Sequence, residues 1–168
     1  MARGADPASF HLWEYPRGPA CEQLVTLAIE AGVLSRFNVD PRFPKNKFES
    51  LYRTWIERST LGELADAVWV ASRLGDDAAL VGMVTVSVSG AMGQIGLISV
   101  LDSARGRGVG RLLMEKAHHW LIGQSAIRAT VVTQLANQPA CRLYEQVGYT
   151  LHDVECCYHF WPQGSRLT

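Results

Sequence analysis

No property of this 168-residue chain is in large excess, and its shortages narrow the class first. Neither charge is in surplus: 16 Lys and Arg stand against 16 Asp and Glu, so no basic field draws in nucleic acid. No apolar run approaches the ~20 residues that cross a bilayer, so neither a transmembrane span nor a membrane partner is expected. The opening MARGADPASF lacks an apolar stretch, so no secretory signal is expected and a reduced, cytoplasmic setting is the default. Cysteines number only four, and Cys21, Cys141, Cys156 and Cys157 have neither metal-ligand spacing nor a disulfide framework. No metal is expected, and Cys156 and Cys157 are read as alternate faces of a terminal strand. Repeats and low-complexity segments are also missing. These limits leave one globular domain over residues 1–168.

The stretch Leu97–Leu121, LISVLDSARGRGVGRLLMEKAHHWL, is the most informative. Ile98, Val100 and Leu101 lie in an apolar run of strand length. Val109, Leu112, Leu113, Ala117, Trp120 and Leu121 then recur at helical spacing. Between them, Gly106, Gly108 and Gly110 make a tight turn, and Gly108 and Gly110 let backbone N–H groups approach a ligand. The first N–H groups of a helix lack intrahelical partners, and the macrodipole makes that end electropositive. With Arg105, Arg107 and Arg111 around it, the turn suits a phosphate or pyrophosphate. It is not a dinucleotide fingerprint, because Arg111 sits where the third glycine belongs, and no Gly-Lys-Ser/Thr exists for a Walker loop.

The spelling Arg105-Gly106-Arg107-Gly108-Val109-Gly110 is R-x-x-G-x-G, and it resembles the acetyl-CoA pyrophosphate loop of the GNAT N-acetyltransferases. A second signature lies downstream in Thr133–Tyr149: N-x-x-A-x-x-x-Y-E-x-x-G-Y, close to the family's N-x-x-A-x-x-x-Y-E-x-x-G-F. Asn137 reads as a helix cap, Pro139 as a first-turn residue and Gly148 as a stop.

The remaining elements follow from periodicity. A strand is expected over Ser9–Tyr15, a helix from Cys21 to near Gly32, a loop over Ser35–Pro44 and a helix from Phe48 to about Ser59. Val68–Arg73, Leu80–Val88 and Gln94–Leu101 read as strands, with turns at Gly75–Ala78 and Gly90–Gly93. Ala126–Thr133 is strand-like, and Thr150–Trp161 closes the chain as one or two strands before a frayed tail. This order is that of the resembled family. It implies an α/β (α+β) fold with a mixed, mostly antiparallel sheet, flanked by about four helices. It also implies that the sheet is splayed between Gln94–Leu101 and Ala126–Thr133 to admit CoA, whose pantetheine arm pairs with Ile98, Ser99 and Val100.

The resemblance implies acyl transfer from acetyl-CoA to a primary amine. Backbone N–H near Val100 polarises the thioester oxygen, and Tyr144 protonates the departing thiolate. A phenol pKa near ~10 sits above a thiol's ~8.5, so donation is feasible. Asn137 contacts the pantetheine arm or an ordered water, and the loop Arg105–Arg111, Val109 included, holds the pyrophosphate. Tyr144 also fits a core position and Asn137 a plain helix cap. His118 and His119 face different sides of their helix and read as structural. Glu63, Asp66, Asp40 and His11 are the candidates to take up the amine's proton, and none stands out.

A narrower resemblance sits in Ser35–Phe43, SRFNVDPRF, in Phe48–Ile56 and in Tyr158–Trp161, YHFW. These stretches are similar to the dTDP-fucosamine (dTDP-4-amino-4,6-dideoxygalactose) acetyltransferases, though the N-terminal region of those enzymes has no counterpart. That likeness implies a nucleotide-linked or free amino-deoxy sugar as acceptor. Arg36, Arg42 or Arg53 would meet an anionic substrate, and Tyr52 or Trp55 would stack on a base or sugar. The same stretch also suits a rigid helix–helix connection. Other readings are a GNAT enzyme for a peptide N-terminus, a polyamine or another small amine, and a non-catalytic acyl-CoA-binding module. A homodimer is a further expectation from the family. An acidic cleft mouth favours a polyamine, and a basic one a diphosphate sugar.

Overall fold

A computed structural model describes residues 9–161. The stretch read for a secretory signal therefore lies almost wholly outside the described residues, as does the tail after Trp161. β1 (Phe10–Glu14) alternates as expected, sending Phe10 and Leu12 to one face and Trp13 to the other. There follow α1 (Glu22–Ala31), a single helical turn α2 (Arg36–Val39) and α3 (Lys45–Thr60). Then come β2 (Ala67–Arg73), β3 (Asp76–Ser89), β4 (Met92–Val100), α4 (Val109–Gly123), β5 (Arg128–Val131) and α5 (Gln138–Gln146). The five strands lie in chain order; every pairing is antiparallel except β4–β5, which is parallel and joined through α4.

Each face of the sheet carries its own core. Leu113, Met114, Ala117 and Leu121 of α4, with Tyr144 of α5, pack against Val84, Val86 and Ile95. Leu24, Val25 and Ala28 of α1, with Phe48, Tyr52 and Ile56 of α3, cover Val68, Val70, Met83 and Leu97. A fully buried aliphatic or aromatic side chain contributes about 1.5–3 kcal/mol, so these two stripes hold the helices on the sheet.

The irregularity that matters is in β4. Val86 pairs with Ile95 and Val84 with Ile98, so Thr85 alone faces both Gly96 and Leu97. This is a β-bulge, and it switches the alternation: Ile95 and Ile98 pack on the α4 face and Leu97 on the α1 face. The Thr85 hydroxyl enters the bulge and accepts the Leu97 N–H at 2.8 Å. Only glycine fits at position 96, because a Cβ there would lie 2.6 Å from that oxygen. β4–β5 pairing ends at Ile95–Val131, where the bulge begins. The bend turns the rest of β4 away from β5, and this opens the expected splay.

Some expectations are corrected. The two hairpin turns are shorter than read, since β3 already starts at Asp76 and β4 at Met92, while Ser35–Pro44 winds one turn of helix. Strand β5 is only four residues long. No strand forms over Thr150–Trp161, whose Leu151, Val154, Tyr158 and Phe160 stay exposed. Its end is instead drawn to the α2–α3 connection, where the Asp40 carboxylate accepts from His159 Nδ1 at 2.9 Å and Trp161 Nε1 at 3.0 Å. Cys156 and Cys157 are thus both exposed on irregular chain, not on alternate strand faces.

Candidate active site

The splay leaves one edge of β4 open beyond Ile95. Leu97 and Leu101 direct their N–H groups at β3, to Thr85 and to the Val81 carbonyl. By strand parity the backbone groups of Ile98 and Val100 point the other way, into the opening. The Val100 carbonyl is taken up by Arg105 Nε at 3.0 Å, so the edge offers chiefly N–H groups and the Ile98 carbonyl. Ser99 turns aside: its hydroxyl donates to the Leu27 carbonyl at 2.7 Å, on the α1 face.

Past the end of β4, a 3-10 turn (Asp102–Ala104) leads into the glycine turn. Gly106 and Gly108 have φ of +70° and +80°, in the left-handed region that glycine tolerates best. Gly108 caps α4 without a side chain, leaving the first N–H groups of that 15-residue helix accessible at its electropositive end. Gly110 serves differently: a Cβ would sit 3.2 Å from Leu143, so its smallness lets α5 pack on α4. Val109 is a core side chain. Arg105 is spent internally, on Asp102, on Glu30 at 3.6 Å and on the Val100 carbonyl. Arg111 pairs with Glu115 at 2.8 Å, and Arg107 has no ion-pair partner among the described residues. A pyrophosphate placed at this turn would therefore meet backbone N–H groups first and Arg107 second.

α5 brings the second signature to the same region. Asn137 caps it, its Oδ1 accepting the Ala140 N–H at 3.3 Å while Nδ2 donates to the Thr133 hydroxyl at 3.3 Å. Tyr144 is 7% exposed, and burial pushes its phenol up to about 12. It therefore holds its proton throughout the neutral range.

The residues singled out for the acceptor fall elsewhere. Tyr52 is 6% exposed and its ring occupies the space beside Gly32, where a Cβ would come within 2.2 Å. It belongs to the α1–α3 core and presents no face to a ligand. Trp55 is half-buried and stacks on Tyr52 at 5.8 Å. Arg53 is held by both oxygens of Glu22, at 2.8 and 3.0 Å. Arg36 donates to the Cys157 sulfur at 3.1 Å and lies over the Phe37 ring, and Arg42 is exposed. SRFNVDPRF and YHFW do come together: Phe43 lies 5.1 Å from Trp161 and 5.2 Å from His159. Of the four proton-acceptor candidates, His11 is bonded to Asp77 and Asp40 to the chain end. Glu63 and Asp66 line a cavity.

That cavity, of about 330 Å³, lies between the loop after α3 and the paired start of β4 and β5. Gln94 and Thr130 in its wall directly precede Ile95 and Val131, the last pair before the splay. Asp66 Oδ2 accepts the Val88 N–H at 2.7 Å and Glu63 pairs with Arg58 at 2.7 Å. No Lys or Arg lines it. The C-terminus of α3 borders it, and a helix C-terminus favours cations.

Sequence reasoning missed Gly96 with Thr85. A lone glycine in an apolar strand run was the signal for the bulge.

Known proteins agree with this geometry. The acetyltransferase (GNAT) family profile matches residues 33–149. A streptothricin acetyltransferase of Escherichia coli is 36% identical over 72 residues, 42% of this chain and 41% of the relative. The chain thus spans under half the length of that curated relative. Among solved structures, the PaiA N-acetyltransferase of Thermoplasma acidophilum, in complex with coenzyme A, superposes with a TM-score of 0.70 at 12% identity, covering 88% of this chain and 93% of that one. AAC(6')-Iy, in complex with the bisubstrate analogue CoA-S-monomethyl-acetylneamine, gives a TM-score of 0.57 at 15% identity over 90% and 98%. With a five-stranded mixed sheet opened at a β4 bulge and a glycine turn at the head of α4, this chain belongs to the GNAT acetyltransferase family.

Proposed function

We propose that the chain N-acetylates a primary amine of a small cationic acceptor, an amino-sugar compound being the best candidate, with acetyl-CoA as donor. The observation that carries this reading is the cavity at the foot of the splay, with the Asp66 carboxylate and the Arg58-paired Glu63 in its wall and no Lys or Arg among its lining residues. One oxygen of Asp66 is left for an ammonium group, because the other already holds the Val88 N–H. A diphosphate would meet like charge there.

The residues present suit the donor. The N–H groups at the head of α4, with Arg107, would hold its pyrophosphate, and the open edge at Ile98 and Val100 its amide-bearing arm. When bound, acetyl-CoA supplies an activated thioester carbonyl. Strand N–H groups on that edge stabilise negative charge developing on the carbonyl oxygen. Tyr144, kept protonated, donates to the sulfur as thiolate forms. The carboxylates orient the acceptor so that its neutral amine faces the opening, its proton passing to water.

A nucleotide-linked amino sugar is the second reading, supported by the meeting of SRFNVDPRF and YHFW around Asp40. Free-thiol release from acetyl-CoA decides between the two, with streptothricin, neamine, spermidine and dTDP-4-amino-4,6-dideoxygalactose as acceptors. Turnover on the cationic amines, with an acceptor KM raised about 10-fold by Asp66→Asn and an unchanged acetyl-CoA KM, is expected for loss of one charge contact. Turnover on the dTDP sugar alone would sink the cationic reading.

A further inference from the structure

On the α4–α5 face, one polar contact has no part in the chemistry above. His118, half-buried on the flank of α4, places Nε2 3.1 Å from the Tyr149 hydroxyl. Tyr149 reaches that spot through the way α5 ends. Gly148 has φ +98°, its N–H donates to the Glu145 carbonyl at 3.1 Å, and the Tyr149 N–H donates to the Tyr144 carbonyl at 2.9 Å. This doubly bonded C-terminal turn folds the chain back on its own helix. Tyr149 therefore lies beside Tyr144, with ring centroids 6.0 Å apart at 59°.

Resting on the role given to Tyr144, we infer that His118 and Tyr149 are positioning residues that hold the Tyr144 ring in the orientation from which it donates. The Tyr149 ring is fixed at three points: the backbone turn, the imidazole on another helix, and the Tyr144 ring itself. A phenol aimed at a sulfur has two side-chain torsions to hold, and a rigid neighbour removes the alternative orientations. Burial lowers the His118 pKa, which favours the neutral imidazole, and in the tautomer protonated on Nδ1 its Nε2 accepts the Tyr149 O–H. The hydroxyl of Tyr149 then points at His118 and leaves the Tyr144 hydroxyl as the donor facing the sulfur.

The test reads the acidity of the CoA thiol bound to the 168-residue chain, as thiolate absorbance relative to the desulfo-CoA complex. Tyr144→Phe is expected to make the bound thiol about 10-fold less acidic. Tyr149→Phe and His118→Ala should each reproduce at least 3-fold of that loss, with CoA affinity changed less than 3-fold. His118→Gln, which keeps a hydrogen-bonding group, should restore the wild-type value, and Tyr149→Phe should add nothing once Tyr144 is Phe. If Tyr144→Phe shifts the titration and Tyr149→Phe does not, the positioning role is overturned. If Tyr144→Phe itself leaves the titration unmoved, the acid assignment falls, and this inference with it.

Discussion

The two faces of the sheet use their residues in opposite ways. On the α4–α5 face, the groups proposed to meet the ligand are mostly backbone: the N–H groups at the head of α4 and along the open edge of β4. On the α1–α3 face, the side chains that looked like ligands are consumed by the fold. Tyr52 is core, Arg53 is bound to Glu22, and Arg36 is packed on Phe37 and Cys157. Backbone sites leave a trace in the sequence because they need glycine at fixed positions. Side-chain sites depend on which arginine or tyrosine the tertiary structure leaves unpaired.

The sharpest way to break this contrast is Tyr52→Ala. A large aromatic removed from a core costs about 3–5 kcal/mol, which denaturant unfolding would read, whereas Tyr52→Phe should leave both stability and acceptor KM close to wild type. A raised acceptor KM in Tyr52→Phe would restore Tyr52 to the acceptor site. Next comes Tyr144→Phe, expected to lower kcat about 100-fold with little change in either KM, as for loss of a general acid. Because its phenol lies at about 12, no part of an alkaline fall in kcat below pH ~10 should vanish with this substitution.

Gly108→Val tests the backbone side. A β-branched residue at φ +80° costs ~1–2 kcal/mol of strain and distorts the head of α4, so CoA should bind about 10-fold more weakly by calorimetry. Asp40→Asn is the mildest. Hydrogen bonds from His159 and from the Arg42 N–H hold the Asp40 carboxyl below the usual carboxylate range. A depressed folded pKa adds stability that is fully present above the unfolded value near ~3.9 and is lost as pH falls through the lower folded value. The small Tm deficit of Asp40→Asn at neutral pH should therefore begin to shrink near pH ~4 and close only below the folded pKa. A deficit that persists there would assign the effect to packing.

Much of the fold could be read from periodicity, because the helices and most strands bury a regular stripe. The closing segment could not. Its alternation is strand-like, but pairing needs an available edge, and side-chain bonds to Asp40 take the end of the segment elsewhere. Arg105 shows the same dependence on tertiary contacts. It sits inside a phosphate-loop motif, yet Asp102 and Glu30 lie close enough to claim it, and Glu30 is remote in sequence.

By itself the sequence determined the family's two signatures, the glycine turn at the head of α4 and the capped α5 with its tyrosine, since both are local matters of backbone torsion and helix ends. Tertiary structure alone decided where the sheet opens, which arginines remain unpaired, and that Asp66 and the Arg58-paired Glu63 line one cavity. The bulge needs Thr85 opposite Gly96, and the cavity needs the loop after α3 beside the start of β4. Both rest on contacts between segments far apart in the chain, which no local pattern encodes.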